Sequence, residues 1–179
     1  MLLTLLRIFL VLPIVFFAYQ SERYSHPLMT WIAIVLFIIA SITDYYDGYF
    51  ARKMNLVSNA GKFLDPVADK ILVSSLLVLF VAQAKVDIIM VILFITRDNL
   101  IGGIRAAASA DGVIIDAQTT GKWKAALQMI SIPMIMLDHD FLGLNISTAG
   151  YYLLWFSVGL SLLSGWQYIQ LYLKPQKKV

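Results

Sequence analysis

Apolar residues run through this chain in long blocks rather than in alternation, and polar residues gather in short breaks between them. Leu2 to Tyr19 carries a single charge, Arg7, and ends at the polar run Gln20-Ser21-Glu22-Arg23. No small-x-small cleavage pattern precedes that run, so the block reads as a retained span rather than a signal peptide. Leu28 to Ala40 is continuously apolar. Helical character can persist beyond it through Asp44-Tyr45-Tyr46-Asp47-Gly48-Tyr49-Phe50-Ala51-Arg52 as far as Asn55, so the second helix is expected to protrude past the apolar layer. A third block runs from about Lys62 through Ile71–Ala84, a fourth from about Val86 to Ala110, a fifth from Lys122 to Leu137 and a sixth from about Thr148 to Leu173. At about 1.5 Å of rise per residue a bilayer takes roughly 20 residues to cross. The pattern therefore predicts an all-α integral membrane protein of six transmembrane helices, a single domain over residues 1–179. Arg97, Asp98 and Arg105 lie inside the fourth block, and ionisable groups within a span face a bundle interior or a wet cavity.

The basic residues orient the spans. Arg7, Arg52, Lys53, Lys62, Lys70, Arg97, Arg105, Lys122, Lys124, Lys174, Lys177 and Lys178 fall on one side, counting the polar helix ends that open to it, which leaves Arg23 and Lys85 opposite. The positive-inside rule puts the larger set in the cytoplasm, with both termini. Composition agrees: 60% hydrophobic and 14% charged residues exclude a soluble globule, and they reverse the balance that disorder requires. The net charge of +3 then reflects topology and anionic head groups rather than nucleic acid, since no basic stripe with interleaved aromatics is present. The chain has no cysteine, so a disulfide framework, a thiolate metal site and a cysteine nucleophile are all excluded. Oxygen becomes the default metal ligand. His26 and His139 fall in loops away from Asp44, Asp47, Asp65 and Asp69, and Trp31, Trp123, Trp155 and Trp166 read as interfacial belts and bundle packing.

The main chemical signal is acidic. Asp44, Asp47, Asp65 and Asp69 all lie at the cytoplasmic ends of two consecutive helices. On a helix, Asp44 and Asp47 stand about 60° apart and Asp65 and Asp69 about 40° apart, so two antiparallel neighbours can point four carboxylates into one gap. Arg52, Lys53, Lys62 and Lys70 can neutralise them as interfacial ion pairs, but such pairs do not require doubled carboxylates on both helices. One or two divalent cations are the better counter-charge, and hard oxygen ligands suit magnesium or manganese over zinc. Gly48 and Ala51 leave the helix face beside the carboxylates nearly bare, which serves either a flat ligand or close helix packing. Arg52 offers a fork for phosphate oxygens. Gly61 is either a turn residue or a point of backbone approach to the same ligand, and Pro66 predicts a third helix that begins shortly before Asp65 or kinks there.

The spacing Asp44-x2-Asp47-Gly48-x2-Ala51-Arg52-x8-Gly61-x3-Asp65-x3-Asp69 resembles, at all eight fixed positions, the motif of the CDP-alcohol phosphotransferases, integral membrane enzymes of phospholipid synthesis. The resemblance implies a six-helix membrane fold, commonly dimeric. It also implies that Asp44, Asp47, Asp65 and Asp69 hold two metal ions against the CDP pyrophosphate, that Gly48, Ala51, Arg52 and Gly61 border the CDP group, and that Asp69 is the base.

Over nearly the whole chain the resemblance is to the bacterial phosphatidylglycerophosphate synthase subgroup, carried by Leu3-Thr4-Leu5-Leu6-Arg7, Gly61-Lys62-Phe63-Leu64-Asp65-Pro66-Val67-Ala68-Asp69-Lys70, and Arg97, Arg105 and Gly121-Lys122-Trp123-Lys124. It implies transfer of a phosphatidyl group from CDP-diacylglycerol to sn-glycerol 3-phosphate at the bacterial cytoplasmic membrane. Arg97 and Arg105, with Lys122 or Lys124, can converge as a cationic pocket for an acceptor that bears a phosphate, and Arg7 either joins them or anchors the first span. Lys122 and Lys124 stand about 200° apart on a helix, so only one of the two is expected to face the pocket. Both can instead snorkel to head groups. The subgroup usually shows Arg-Glu where this chain has Arg97-Asp98, a departure that bears on acceptor choice. The chain also starts almost at the Leu-Thr-Leu-Leu-Arg patch, without the short leading stretch of its relatives. The competing acceptors are phosphatidylglycerol, which would make a cardiolipin synthase, then serine or inositol phosphate. A cation-coupled transporter is the alternative from another class, disfavoured because the aspartates sit at helix ends and no repeat is visible.

Overall fold

The computed structural model describes residues 2–24, 26–53, 59–110, 119–137, 140–141 and 144–173, with side chains for these except at 2–6, 44–53, 59–69, 109–110, 140–141, 144 and 172–173. Six helices follow one another: α1 (Leu2–Tyr24), α2 (Pro27–Lys53), α3 (Asn59–Ala82), α4 (Ile88–Ala110), α5 (Thr119–Met136) and α6 (Ile146–Leu173). The all-α expectation holds, with one addition. Ahead of α6, β1 (Asp140–Phe141) pairs antiparallel with β2 (Leu144–Asn145), Asp140 opposite Asn145 and Phe141 opposite Leu144. Two-residue strands are too short to leave a period-2 pattern in sequence.

The chain divides into two compact units, residues 1–86 with 136–138 and residues 87–135 with 139–179. In the first unit α1 packs against both α2 and α3. Its buried positions Val11, Ile14 and Ala18 recur at helical spacing, as do Ala33, Ile34, Phe37 and Ala40 on α2 and Leu72, Val73, Leu76, Leu77 and Phe80 on α3. The opposite faces are also apolar: Phe9, Leu12, Phe16, Val35, Ile38, Ile39, Ile42 and Val78 are exposed. Helices hydrophobic all round belong in an apolar medium. Among the described residues, Ile146–Leu171 of α6 is the one stretch long and apolar enough to cross a membrane; Pro27–Thr43 and Lys70–Ala82 are apolar but shorter.

The C-terminal end of α3 is tied to that of α1, so the two run parallel. Gln83 Nε2 donates to the Ala18 carbonyl at 3.1 Å, and Lys85 Nζ pairs with Glu22 at 2.7 Å. The helix stops in a Schellman arrangement, in which Lys85 N donates to the Phe80 carbonyl and Ala84 N to the Val81 carbonyl. Ala84 takes the left-handed position that this cap demands, with φ at 55°.

In the second unit α6 packs against both α4 and α5, parallel to α4 and antiparallel to α5. Tyr151 donates to Asp87 at the start of α4. Against α5, Thr120 bonds Gln167, Ser157 Oγ donates to the Lys124 carbonyl at 3.0 Å, and Ser147 sits 3.5 Å from the Ile135 carbonyl. Gly150 makes this approach possible, since a Cβ there would lie 2.8 Å from the Cβ of Met134. Asn145 caps α6, its side-chain oxygen accepting from Thr148 N at 2.8 Å.

Two boundaries differ from the sequence reading. α1 continues to Tyr24 rather than ending at Tyr19, and α3 begins at Asn59, so Pro66 falls in its second turn rather than its first. The α2 extension matches, since the helix is unbroken to Lys53.

Ala84→Gly is expected to stabilise the protein by about 0.5–1 kcal/mol, because the left-handed strain on alanine exceeds the chain entropy that glycine adds. A rise in the melting temperature of the detergent-solubilised protein checks this; an unchanged or lower value contradicts it.

Candidate active site

The motif residues divide between two helices of the first unit. Asp44, Asp47, Gly48, Ala51 and Arg52 lie in the last turns of α2, and Gly61, Asp65 and Asp69 in the first half of α3. Their side chains lie outside the described residues. The backbone carries the relevant geometry: both stretches are helical, so Asp44 and Asp47 occupy i, i+3 positions and Asp65 and Asp69 i, i+4 positions, each pair on one helix face. A connection of only residues 54–58 joins the two helices, which limits how far apart the motif halves can lie. Four carboxylates on two helix faces, in a chain without cysteine, are a donor set suited to hard divalent cations. Among the described residues, no group of three or more His, Cys, Asp or Glu side chains is arranged to hold a metal.

The cationic residues fall in different settings. Arg7 is buried on α1, while Arg105 on α4 and Lys122 on α5 are exposed. In the second unit, Arg97 and Lys124 are drawn into one network, with side chains only 12% and 8% exposed. Arg97 Nε donates to the Ser161 carbonyl at 2.9 Å, Nη2 to Ser164 Oγ at 2.9 Å and Nη1 to Asp98 at 3.0 Å. Lys124 Nζ donates to both oxygens of Asp98, at 2.9 and 2.7 Å, and lies 5.3 Å from the centre of the Phe94 ring. The stem of Arg97 crosses bare backbone at Gly165, 3.4 Å from where a Cβ would stand. Gly121 does the same for Ser164, whose hydroxyl would be 3.2 Å from a Cβ at that position.

The physical reason for the network is the absence of water in an apolar bundle. A charge there persists only when paired and hydrogen-bonded, and Asp98 supplies that pairing to two cations at once. Three of the five guanidinium N–H groups of Arg97 are used, which leaves two among the described residues. Of the two candidate lysines, Lys124 is the inward one and Lys122 the outward one.

Sequence reading placed Arg97 and Lys124 among the candidates and missed Asp98, Ser161 and Ser164 as their partners. The signal was present as spacing: Lys124, Gln128 and Ser131 on α5, and Ser157, Ser161 and Ser164 on α6, repeat at i, i+4, i+7 and are all buried. A polar stripe of that period in an apolar span marks the face turned to another helix rather than to lipid.

Known proteins resolve which family this chain belongs to. The sequence profile of the CDP-alcohol phosphatidyltransferases matches residues 1–163. The chain belongs to the CDP-alcohol phosphatidyltransferase family. Its similar relatives include the CDP-diacylglycerol–glycerol-3-phosphate 3-phosphatidyltransferase of Bacillus subtilis, 41% identical over 134 residues, which are 75% of this chain and 69% of that protein. The Rickettsia bellii protein of the same name is 36% identical over 82% of this chain and 81% of its own length. That of Rickettsia felis is 32% identical over 94% of this chain and 91% of its own. Membership in this phosphatidyltransferase family makes the protein an enzyme of membrane phospholipid chemistry.

Lys124→Met is expected to lower the unfolding free energy by about 2–3 kcal/mol, since it strands part of the Asp98 charge, whereas Lys122→Met should change it by less than about 0.5 kcal/mol. Denaturant or thermal unfolding of both variants in one detergent measures the difference. Equal effects would mean that the Lys124–Asp98 pair contributes nothing to stability.

Proposed function

We propose that the protein transfers the phosphatidyl group of CDP-diacylglycerol to sn-glycerol 3-phosphate, giving phosphatidylglycerophosphate and CMP. The observation that carries the acceptor is Arg97, a half-buried arginine already oriented by three hydrogen bonds and with two N–H groups left among the described residues. A phosphate-bearing alcohol uses such a group; inositol, which carries no anionic group, does not. The named activity of the relatives over most of this chain supports the same acceptor.

Residue roles follow from their chemistry. Asp44, Asp47, Asp65 and Asp69 would hold two divalent cations, magnesium foremost and manganese next, which when bound supply charge neutralisation for the pyrophosphate and the departing CMP. Gly48, Ala51 and Gly61 leave room for the CDP group beside the backbone, and Arg52 pairs with its phosphate oxygens. Asp69 accepts the proton of the acceptor hydroxyl as that oxygen attacks the β-phosphorus and the bond to CMP breaks. A carboxylate is a weak base, so its contribution comes from proximity. Arg97 holds the acceptor phosphate, and Arg105 and Lys122, exposed on α4 and α5, add attraction. Arg7 is the further cation of this set. Lys124 contributes through Asp98.

We assign the protein six membrane crossings with both termini and the aspartates on the cytoplasmic side of a bacterial plasma membrane. The apolar outer faces of the helices and the one-sided distribution of lysine and arginine support this topology. A homodimer is the assembly that the family resemblance implies.

The deciding experiment is CMP release by purified protein with CDP-diacylglycerol and magnesium, across glycerol 3-phosphate, phosphatidylglycerol, serine, inositol and inositol phosphate. Release is expected with glycerol 3-phosphate alone, lost on chelation and restored by magnesium. Asp69→Asn is expected to slow it by about 10²–10⁴-fold. Release with a different acceptor keeps the family chemistry and removes the acceptor assignment. Unchanged activity in Asp69→Asn removes the base.

A further inference from the structure

A carboxylate has the wrong sign to receive an anionic acceptor, yet Asp98 occupies the centre of the cationic cluster. Its oxygens take a bond from Arg97 at 3.0 Å and two from Lys124 at 2.9 and 2.7 Å. Neighbouring residues on a helix point about 100° apart, and α4 uses that divergence to reach two helices at one level. Arg97 extends to the Ser161 carbonyl and the Ser164 hydroxyl of α6, and Asp98 extends to Lys124 of α5. The guanidinium is therefore gripped on the α6 side by two neutral acceptors and on the other by the one charged acceptor among its partners.

Two consequences follow. Arg97 is held in one rotamer before any ligand arrives, so binding an anion does not have to order it. The charge of Lys124 is spent inside the network, since Asp98 sits against it at both oxygens.

We propose that Asp98 is a positioning residue for the acceptor: by bridging Arg97 and Lys124 it fixes the guanidinium so that its two remaining N–H groups meet the acceptor's phosphate, and it withdraws Lys124 from phosphate binding. This rests on the phosphate-bearing acceptor proposed above. It gives Asp98 a role in acceptor affinity without contact to substrate.

The test is steady-state kinetics of the full-length protein in lipid nanodiscs with magnesium, varying sn-glycerol 3-phosphate and CDP-diacylglycerol in turn. Asp98→Asn, Asp98→Glu and the double variant Asp98→Asn/Lys124→Met are compared, the last because it also removes the lysine that Asp98→Asn alone deprives of its carboxylate. Asp98→Asn is expected to raise KM for glycerol 3-phosphate by about 10- to 100-fold, the loss of a charge-assisted bond. KM for CDP-diacylglycerol should stay within about twofold, because that substrate's binding does not involve the network. Asp98→Glu should recover most of the acceptor affinity. The double variant should melt near the wild-type temperature while keeping the raised acceptor KM. A wild-type acceptor KM in Asp98→Asn overturns the positioning role. So does a loss shared by kcat and both KM values that follows the melting temperature and disappears in the double variant, which leaves only a structural ion pair. Wild-type protein that turns over another acceptor but not glycerol 3-phosphate overturns the reaction reading itself, and this role with it.

Discussion

An ionised side chain in an apolar bundle must find its partners within the protein, and in the second unit that requirement falls on Asp98. Arg97 and Lys124 approach it from α4 and α5, while the Ser161 carbonyl and the Ser164 hydroxyl of α6 complete the shell around Arg97. The packing is arranged around this shell. Glycine stands at 121 and 165 where Ser164 and Arg97 pass, and serine replaces larger side chains at 157, 161 and 164. The helices approach closely because the polar groups between them are small, and small residues at such seams are how helices associate without a hydrophobic driving force.

The first unit follows a different logic. Its seam is made of Val11, Ile14, Phe37, Leu76 and Phe80, with polar ties at the end where Gln83 and Lys85 meet α1. The motif aspartates sit at the other ends of α2 and α3. The apolar interior packs α1 against both helices, and the aspartate positions lie toward the C-terminal end of α2 and in the first half of α3. The contrast separates a unit packed through apolar side chains from one packed around buried polar groups.

Much of this was legible in the sequence. The six apolar blocks gave the six helices because each is long enough for several helical turns and ends at polar breaks. The extension of α2 to Lys53 followed from acidic and small residues at helical spacing. Pro66 misled the start of α3, since a proline early in a helix suggests its first turn, and the chain tolerates it one turn later. The hairpin was invisible because four residues carry no periodicity. The inward turn of Lys124 rather than Lys122 was posed by their angular separation but could not be settled from it, because the choice depends on Asp98, 26 positions away, and on how α4 and α5 meet. Asp98 itself stood out only as a charge in an apolar span. Its role depended on which two cations would share it, and that is tertiary information.

The divergence of Arg97 and Asp98 on α4 has a mechanical meaning. Because adjacent residues grip different helices, α4 cannot rotate or slide without releasing both neighbours, and α5 and α6 cannot part without uncovering a charge. Heat or detergent that loosens one helix of this unit therefore loosens the other two with it. The three behave as a single cooperative block, in which a local fluctuation large enough to admit water is already most of the way to losing the whole.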